Sequence, residues 1–224
     1  RNLFNKKSGF FQPKRAAAWL EAFDPREVNF NYTEANGWQY NFFVPHDVNG
    51  HIDLLGGALN YASKLEDMFT ASSETTGRNQ ADITGLIGQY AHGNEPSHHM
   101  AYLYPFVGQF HRTAEVVDSI RKTLYTPRAN GLSGNEDCGQ MSAWYVWSAL
   151  GMYPVTPGSN QLILGTPMFN EARVTPMPME NAGMPLTIVK NGSGKYIENA
   201  QIQTSDLSAQ VTKAKLLAGG TLVF

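Results

Sequence analysis

Apolar residues recur at helical spacing in the first two thirds of the chain. Residues 50–69 carry an apolar side chain every three or four positions, which predicts one amphipathic helix with Asn49 as its N-cap. Residues 113–125 show the same spacing. Residues 14–23 are predicted as a short helix from their alanine content, and residues 81–87 as another. The pattern indicates helices connected by loops.

The stretch that begins near Gly139 is apolar on almost every side until Gly151 and Pro154 end it. A helix without a polar face is expected to lie inside a larger structure. After residue 154 the pattern changes to short β-prone pieces separated by turns, at residues 161–164, 186–190, 196–203 and 221–224. We therefore predict a mainly α fold, with paired helices in residues 1–154 and a β-rich segment in residues 155–224.

The amino-acid composition limits the classes of function that this chain can have. Charged residues make up 16% of the chain and aromatic residues 12%, with 21 glycines and 12 prolines, a balance that suits a sugar-binding surface. The net charge of −2 without a basic stripe argues against nucleic acid as a partner. The single cysteine excludes an internal disulfide, and no apolar run approaches the roughly 18 residues of a membrane span. The first residue is not Met and the last residues read as the middle of a strand, which indicates a piece of a longer protein.

Two polar clusters contain candidate acid–base residues. Glu34 stands among aromatic residues, which exclude water and favour the neutral carboxyl that a general acid needs. Asp137 directly precedes the apolar helix, whose positive end favours an ionised carboxylate. The alternatives are that Glu34 is a hydrogen-bonded loop residue and that Asp137 is a helix cap.

A third polar cluster contains Asn94 and Glu95 just before Pro96, which suits the first turn of a helix. A carboxylate at that position is expected to be ionised, so Glu95 is a better cation ligand or acceptor for a sugar hydroxyl than an acid. The histidines nearby suggest zinc. However, neighbouring histidines on a helix, such as His98 and His99, point about 100° apart and cannot bind one ion together.

Four motifs together closely resemble glycoside hydrolase family 92, the calcium-dependent, inverting, exo-acting α-mannosidases. They are YTEANGWQY from Tyr32, VPHDV from Val44, GQYAHGNEPSHH from Gly88 and GNEDCGQMSAW from Gly134. The resemblance implies a β-sandwich followed by an (α/α)6 barrel. Residues 1–154 would then be the C-terminal part of that barrel, and residues 155–224 the truncated start of a closing β-rich segment.

The resemblance also implies the roles of the candidate residues. Glu34 would be the general acid and Asp137 the base, while Asn94 and Glu95 would bind Ca²⁺. Some relatives carry a second acid at the position of Asn135. The candidates for substrate contact are Trp38, His92, Glu95, His98, Asn135 and Glu136. An inverting glycosidase needs its two carboxyl groups roughly 6.5–9.5 Å apart, so that a water molecule fits between one of them and the sugar.

The function implied is hydrolysis of terminal mannose from glycans such as N-glycans by a periplasmic or secreted enzyme, and the linkage expected is α-1,2. The partners would be a mannose-containing glycan and the missing N-terminal part of the same protein, without which the chain is expected to be inactive. Two alternatives remain open. One is a polysaccharide lyase that uses His92 or Tyr90 as its base, and the other is a non-catalytic carbohydrate-binding remnant.

Overall fold

The protein is described by a computed structural model that covers residues 2–20, 22–175 and 184–224. Helices make up 30% and strands 21% of this part of the chain. The chain divides into two units. The first comprises Arg1–Met100 and Lys122–Met141, and the second comprises Ala101–Arg121 and Ser142–Phe224.

The first unit combines short two-stranded ladders with three helices. The antiparallel ladders are β1 (Phe4–Asn5) with β2 (Phe10–Phe11), β3 (Lys14–Arg15) with β4 (Ala18–Trp19), and β7 (Leu86–Ile87) with β8 (Tyr90–Ala91); β5 (Glu27–Val28) pairs in parallel with β6 (Thr76–Gly77). The helices are α1 (Gly37–Phe42), α2 (Val48–Leu54) and α3 (Ala58–Thr70), and a 3₁₀ turn spans Glu95–Ser97.

Aromatic side chains hold α1, α2 and α3 together. The rings of Phe42, His51 and Tyr61 meet edge to face, with centroids 5.2–5.8 Å apart. Leu65 and Met68 of α3 are fully buried in the same unit. Edge-to-face packing adds to the stabilisation that burial of these rings supplies. This core supports α1, which follows the Glu34 turn.

The second unit contains two sheets. In the five-stranded sheet the order is β11 (Glu171–Val174), β12 (Leu186–Val189), β16 (Gly220–Val223), β13 (Ala200–Ile202) and β14 (Ser205–Leu207). The three-stranded sheet has the order β15 (Gln210–Thr212), β10 (Gln161–Leu164) and β9 (Met152–Tyr153). Only β12 and β16 pair in parallel among these described strands. The helices α4 (Phe110–Thr123) and α5 (Gln140–Ala149) lie mostly in this unit. It also contains α6 (Lys213–Leu217) and the 3₁₀ turn Tyr104–Val107. A further 3₁₀ turn spans Met100–Tyr102.

The two sheets share one hydrophobic core. Side chains from β10 and β15 pack with side chains from β12, β13 and β16 in a single buried cluster that includes Leu162, Val211, Ile188, Ile202 and Leu222. In β12 buried and half-buried residues alternate, as expected when one face of a strand points inward. The strands predicted from the β-prone pieces after residue 154 are therefore present. The division of the chain at residue 154 stays a prediction.

The predicted fold class is wrong. The described residues form mixed helices and small sheets, not a mainly α structure, and they do not form an (α/α)6 barrel. The reason lies in the connections: much of the first unit is turns and two-residue strands that carry too little hydrophobic periodicity to be recognised. Within the residues that the structure describes, no helix is both long and apolar enough to cross a membrane.

Three local helix predictions are also wrong. Residues 14–20 form the β3–β4 hairpin, in which Lys14 lies over the ring of Trp19 at 4.0 Å. A ten-residue alanine-rich helix is only marginally stable, so this pairing is favoured. Residues 50–69 form two helices, because Gly56 and Gly57 have φ values of 91° and 103°. Residues 81–87 form turns and β7. The helices predicted near residues 113–125 and after Gly139 are confirmed as α4 and α5.

Candidate active site

Glu34 lies on an exposed turn immediately before α1. Its φ is 53°, in the left-handed region that a glutamate rarely adopts. The Asn94 amide donates to the Glu34 backbone oxygen at 3.2 Å and to its carboxylate Oε2 at 3.4 Å. The Tyr40 hydroxyl accepts from the backbone N–H of Thr33 at 3.1 Å. Glu34 is therefore oriented by its neighbours, but the apolar surroundings expected for it are not observed.

A buried group of amide side chains anchors this turn. Asn36 caps α1 by accepting from the backbone N–H groups of Trp38 and Gln39. The Gln39 side chain in turn accepts from the backbone N–H of Asn36 at 2.7 Å, completing a capping box. The Asn36 amide also donates to Gln89 Oε1 at 2.9 Å. These bonds join the Glu34 turn to the segment that leads to Asn94 and Glu95.

Glu95 begins the 3₁₀ turn Glu95–Ser97 as predicted from Pro96, with Asn94 at the N-cap position. Burial raises the pKa of the Glu95 carboxyl, and a hydrogen bond to Asp137 and the charges of Asp137 and Glu34 raise it further. The lower pKa expected from the helix start is therefore outweighed by burial and by the neighbouring carboxyl groups. Two carboxylates in hydrogen-bond contact repel each other when both are ionised. Such a pair therefore shares a proton or binds a cation more readily than a single carboxylate does.

Asp137 lies on the loop before α5, on the exposed surface. Asp137 and Cys138 have φ values of 51° and 56°, so two successive residues are left-handed. The backbone N–H of Gln140 bonds to the Asp137 oxygen at 3.2 Å, and that of Met141 to the Glu136 oxygen at 3.2 Å. These bonds fix the loop to the start of α5. The loop conformation turns the Asp137 carboxyl towards Glu95 and His98.

His92 and His98 are buried and their rings are held by other protein groups. His92 Nδ1 lies 2.7 Å from the Tyr90 hydroxyl, and Nε2 lies 2.7 Å from the Tyr125 hydroxyl. His98 Nε2 donates to the His92 backbone oxygen at 2.9 Å, and Gln140 lies 3.4 Å from its Nδ1. Burial lowers the pKa of His92 to about 2 and that of His98 to about 4. Both rings are neutral at physiological pH.

The remaining candidates lie apart from this group or at its edge. Trp38 packs edge to face on Phe10 with ring centroids 4.8 Å apart, and the Lys64 ammonium lies 4.8 Å from its ring. Asn135 is exposed and Glu136 is half-buried on the Asp137 loop. An open cavity of about 470 Å³ in the same unit is lined by Tyr40, Phe43, Asp47 and their neighbours, and by none of the candidate residues.

Two residues at the site were not identified from the sequence. Gln140 contacts His98, and Tyr125 contacts the His92 ring and donates to the Met141 backbone oxygen at 3.1 Å. Gln140 stands three residues after Asp137 at the start of a predicted helix, which was an available signal. Tyr125 ends the segment predicted as an amphipathic helix, two residues beyond the end of α4, and has no local feature that distinguishes it from a core aromatic.

The oxygen-rich side chains at this site suit a hard cation by their chemistry. Asn94, Glu95 and Asp137 offer amide and carboxylate oxygens, the donors that Ca²⁺ prefers. Among the described residues, however, no three His, Cys, Asp or Glu side chains are arranged to hold a metal ion. The residues present fit Ca²⁺ by donor type, and a complete site would also need amide or backbone carbonyl oxygens or water as ligands.

Comparison with known proteins identifies the family. A model of the glycosyl hydrolase family 92 catalytic domain matches residues 1–224. An uncharacterized secreted glycosidase from Arthroderma benhamiae is 28% identical over 96% of this chain and 28% of its own length.

Two solved structures from Bacteroides thetaiotaomicron have the same fold. A family GH92 α-mannosidase in complex with mannoimidazole is 28% identical with a TM-score of 0.89, covering 100% of this chain and 30% of that one. A family GH92 inverting mannosidase is 30% identical with a TM-score of 0.82, covering 99% and 31%. The chain thus spans less than a third of the length of these relatives. The family predicted from four motifs is confirmed, and the chain belongs to glycosyl hydrolase family 92 through its catalytic domain.

Proposed function

We propose that this chain carries the acid–base residues of an α-mannosidase that hydrolyses terminal mannose with inversion. The observation that carries the proposal is the convergence of Glu34, Glu95 and Asp137 from three separate loops of one unit. Family membership and the mannosidase identity of two similar structures support the substrate class. Membership of a hydrolase family also counts against the polysaccharide-lyase alternative.

The two chemical roles go to Glu34 and Asp137. Glu34 protonates the leaving oxygen, and Asp137, exposed on its loop, removes a proton from the attacking water. Glu95 is the second candidate for the acid, because its pKa is raised by burial and by its neighbour Asp137. His92 does not serve as a base, since both of its ring nitrogens are hydrogen-bonded inside the protein.

The test compares leaving groups in the full-length enzyme. Glu34→Gln should lower kcat/KM about 10²–10⁴-fold on a mannobiose, the usual contribution of general acid catalysis, and much less on an activated aryl mannoside. Asp137→Asn should slow both substrates alike, because water must be activated whatever group leaves. Leaving-group dependence in Glu95→Gln instead of Glu34→Gln would assign the acid to Glu95.

A requirement for Ca²⁺ is proposed on the donor chemistry of Asn94 and Glu95. When bound, a calcium ion supplies open positions for vicinal sugar hydroxyls. A calcium chelator should abolish activity of the full-length enzyme, and added Ca²⁺ should restore it. Restoration by Zn²⁺ and not by Ca²⁺ would contradict this assignment.

The finer specificity proposed is for α-1,2-linked mannose on N-glycans, by an enzyme that acts outside the cytoplasm. The secreted relative supports the location. Release of mannose from linkage-defined mannobioses, followed by NMR to observe the anomer formed first, tests the linkage and the inversion together. Binding of mannose without hydrolysis of any linkage would favour the non-catalytic alternative. Inactivity of the chain by itself stays a prediction.

A further inference from the structure

A one-way series of hydrogen bonds passes through the ring of His92. The Tyr125 hydroxyl lies 3.1 Å from the Met141 backbone oxygen, which can only accept, so Tyr125 donates its single proton there. Its oxygen must then accept from His92 Nε2–H, at 2.7 Å. Nδ1 of the neutral ring is left as an acceptor, and the Tyr90 hydroxyl donates to it at 2.7 Å. The two tyrosines thus fix one tautomer and one orientation of His92.

This series connects the turn of Glu95 with the loop of Asp137. On one side, the backbone N–H of His98 bonds to the Glu95 oxygen at 3.0 Å, and the His98 ring donates to the His92 backbone oxygen. On the other side, Met141 receives the Tyr125 proton, and its own N–H bonds to the Glu136 oxygen beside Asp137. Uncharged and largely buried groups make every connection between the two carboxyl-bearing segments on this route.

We infer that His92 and Tyr125 are positioning residues, which set the placement of the Asp137 carboxyl relative to Glu95 through the start of α5. This rests on the proposed role of Asp137 as the base. The inference reassigns His92 from contact with the sugar to support of the base. A largely buried series of bonds suits that purpose, because a displacement of about 1 Å in a reacting group can cost roughly 10²-fold in rate.

The experiment uses hydroxyl deletions in the full-length enzyme, assayed on an aryl α-mannoside. Tyr125→Phe removes only the oxygen that joins His92 to Met141. It should lower kcat about 10–100-fold and leave KM within about twofold, because no contact with the bound sugar is lost. Tyr90→Phe removes the bond that fixes the tautomer and should show the same division between kcat and KM with a smaller loss.

The matched control is Tyr102→Phe. Tyr102 is fully buried, as Tyr90 is, whereas Tyr125 is half-buried; the Tyr102 hydroxyl donates to Ser148 near the other end of α5 at 2.9 Å. This variant loses a buried hydroxyl bond to the same helix but touches no part of the series through His92. It should keep kcat within about twofold. A loss as large as that of Tyr125→Phe would show a general effect on the helix and overturn the inference.

A double-mutant cycle separates positioning from stability. If Tyr125 acts through Asp137, Tyr125→Phe should cause no further loss of kcat in an Asp137→Asn background. Losses that multiply, unchanged kcat in folded Tyr125→Phe and Tyr90→Phe variants, or failure of both variants to fold would each overturn the inference. Full activity of Asp137→Asn alone would instead contradict the proposed function, and the inference with it.

Discussion

At the scale of single residues, the most informative feature is backbone conformation. Six of the described non-glycine residues have a positive φ, and three of these, Glu34, Asp137 and Cys138, lie at the candidate site. A left-handed conformation costs an L-residue about 1–2 kcal/mol relative to its ordinary conformations. Glycine would adopt this left-handed conformation more easily. The side chains of Glu34 and Asp137 are therefore retained at a cost to stability. Such strain points to function.

Cys138 allows a test of this strain without removing a proposed catalytic group. It is exposed, with a φ of 56°. Cys138→Gly should raise the free energy of unfolding by about 0.5–1 kcal/mol, and Cys138→Val should lower it by at least about 1 kcal/mol, because a β-branched residue tolerates positive φ poorly. Urea unfolding of both variants, with Cys138→Ser as the reference, measures the difference. Equal stability of the glycine and valine variants would show that the loop carries no such strain.

At the scale of elements, α1 depends on its cap. It has only six residues, and Asn36 satisfies two of its first N–H groups while also bonding to Gln89. Asn36→Ala should lower the free energy of unfolding by about 2–4 kcal/mol, the sum of a lost cap and an unsatisfied buried amide. The control is Asn49→Ala in α2, where Asp47 is the cap and Asn49 is exposed. That change should stay within about 0.5 kcal/mol, and a similar loss in both variants would contradict the role given to Asn36.

The same helices show what could be predicted from the sequence. The apolar spacing over residues 50–69 predicts an inward face, and Ile52, Leu65 and Phe69 on that face are buried, whereas Leu59 is 87% exposed. It missed the break at Gly56 and Gly57, because periodicity continues across two glycines whose φ values only the tertiary structure determines. In the β3–β4 hairpin, the local helical preference of alanine is overridden by strand pairing and by the contact of Lys14 with Trp19.

At the scale of the whole molecule, buried neutral histidines make stability depend on pH. Burial lowers the pKa of His51 to about 4, with a further decrease from His99 and an opposing effect of Asp47. Burial likewise lowers the pKa of His99 to about 4, against the hydrogen bond that its ring donates to the Phe42 oxygen and together with a small effect of His98. Because these values lie below the ordinary 6.5, the unfolded chain binds protons first as the pH falls. The contribution of the neutral His51 and His99 to the free energy of unfolding is fully present above about pH 6.5 and is lost as the pH falls towards 4.

We expect the free energy of unfolding, measured in urea, to fall steadily between pH 6.5 and 4.5. His51→Phe should reduce that slope, because one group that must be protonated on unfolding is removed. Phenylalanine suits the site, since His51 packs against Phe42 and Tyr61, and its Nε2 has no hydrogen-bond partner within the described residues. An unchanged slope in this variant would show that His51 does not contribute.

The sequence identified the residues that come together at the candidate site but not the surroundings of each side chain. Motifs on three loops indicated Glu34, Glu95 and Asp137, and the structure brings them together. Sequence neighbours suggested an apolar setting for Glu34 and an ionised Glu95. Glu34 is instead exposed, and the pKa of Glu95 is raised where the helix start alone would lower it. Burial is set by distant segments: Asp137 reaches Glu95, and the aromatic rings beside Glu34 in sequence turn towards other partners, such as Phe10 for Trp38.

The order of strands in the second unit has a consequence for biosynthesis. β12 and β13 are consecutive along the chain, yet β16 lies between them and pairs with both. When the ribosome has made residues 186–202, β12 can pair with β11, but the strand that connects β12 to β13 has not yet been made. The five-stranded sheet can therefore close only after residues 220–223 have left the exit tunnel. Until then Ile188 and Ile202, both buried in the finished core, lack the contact with Leu222 of β16, and we expect such an incomplete core to be prone to aggregation.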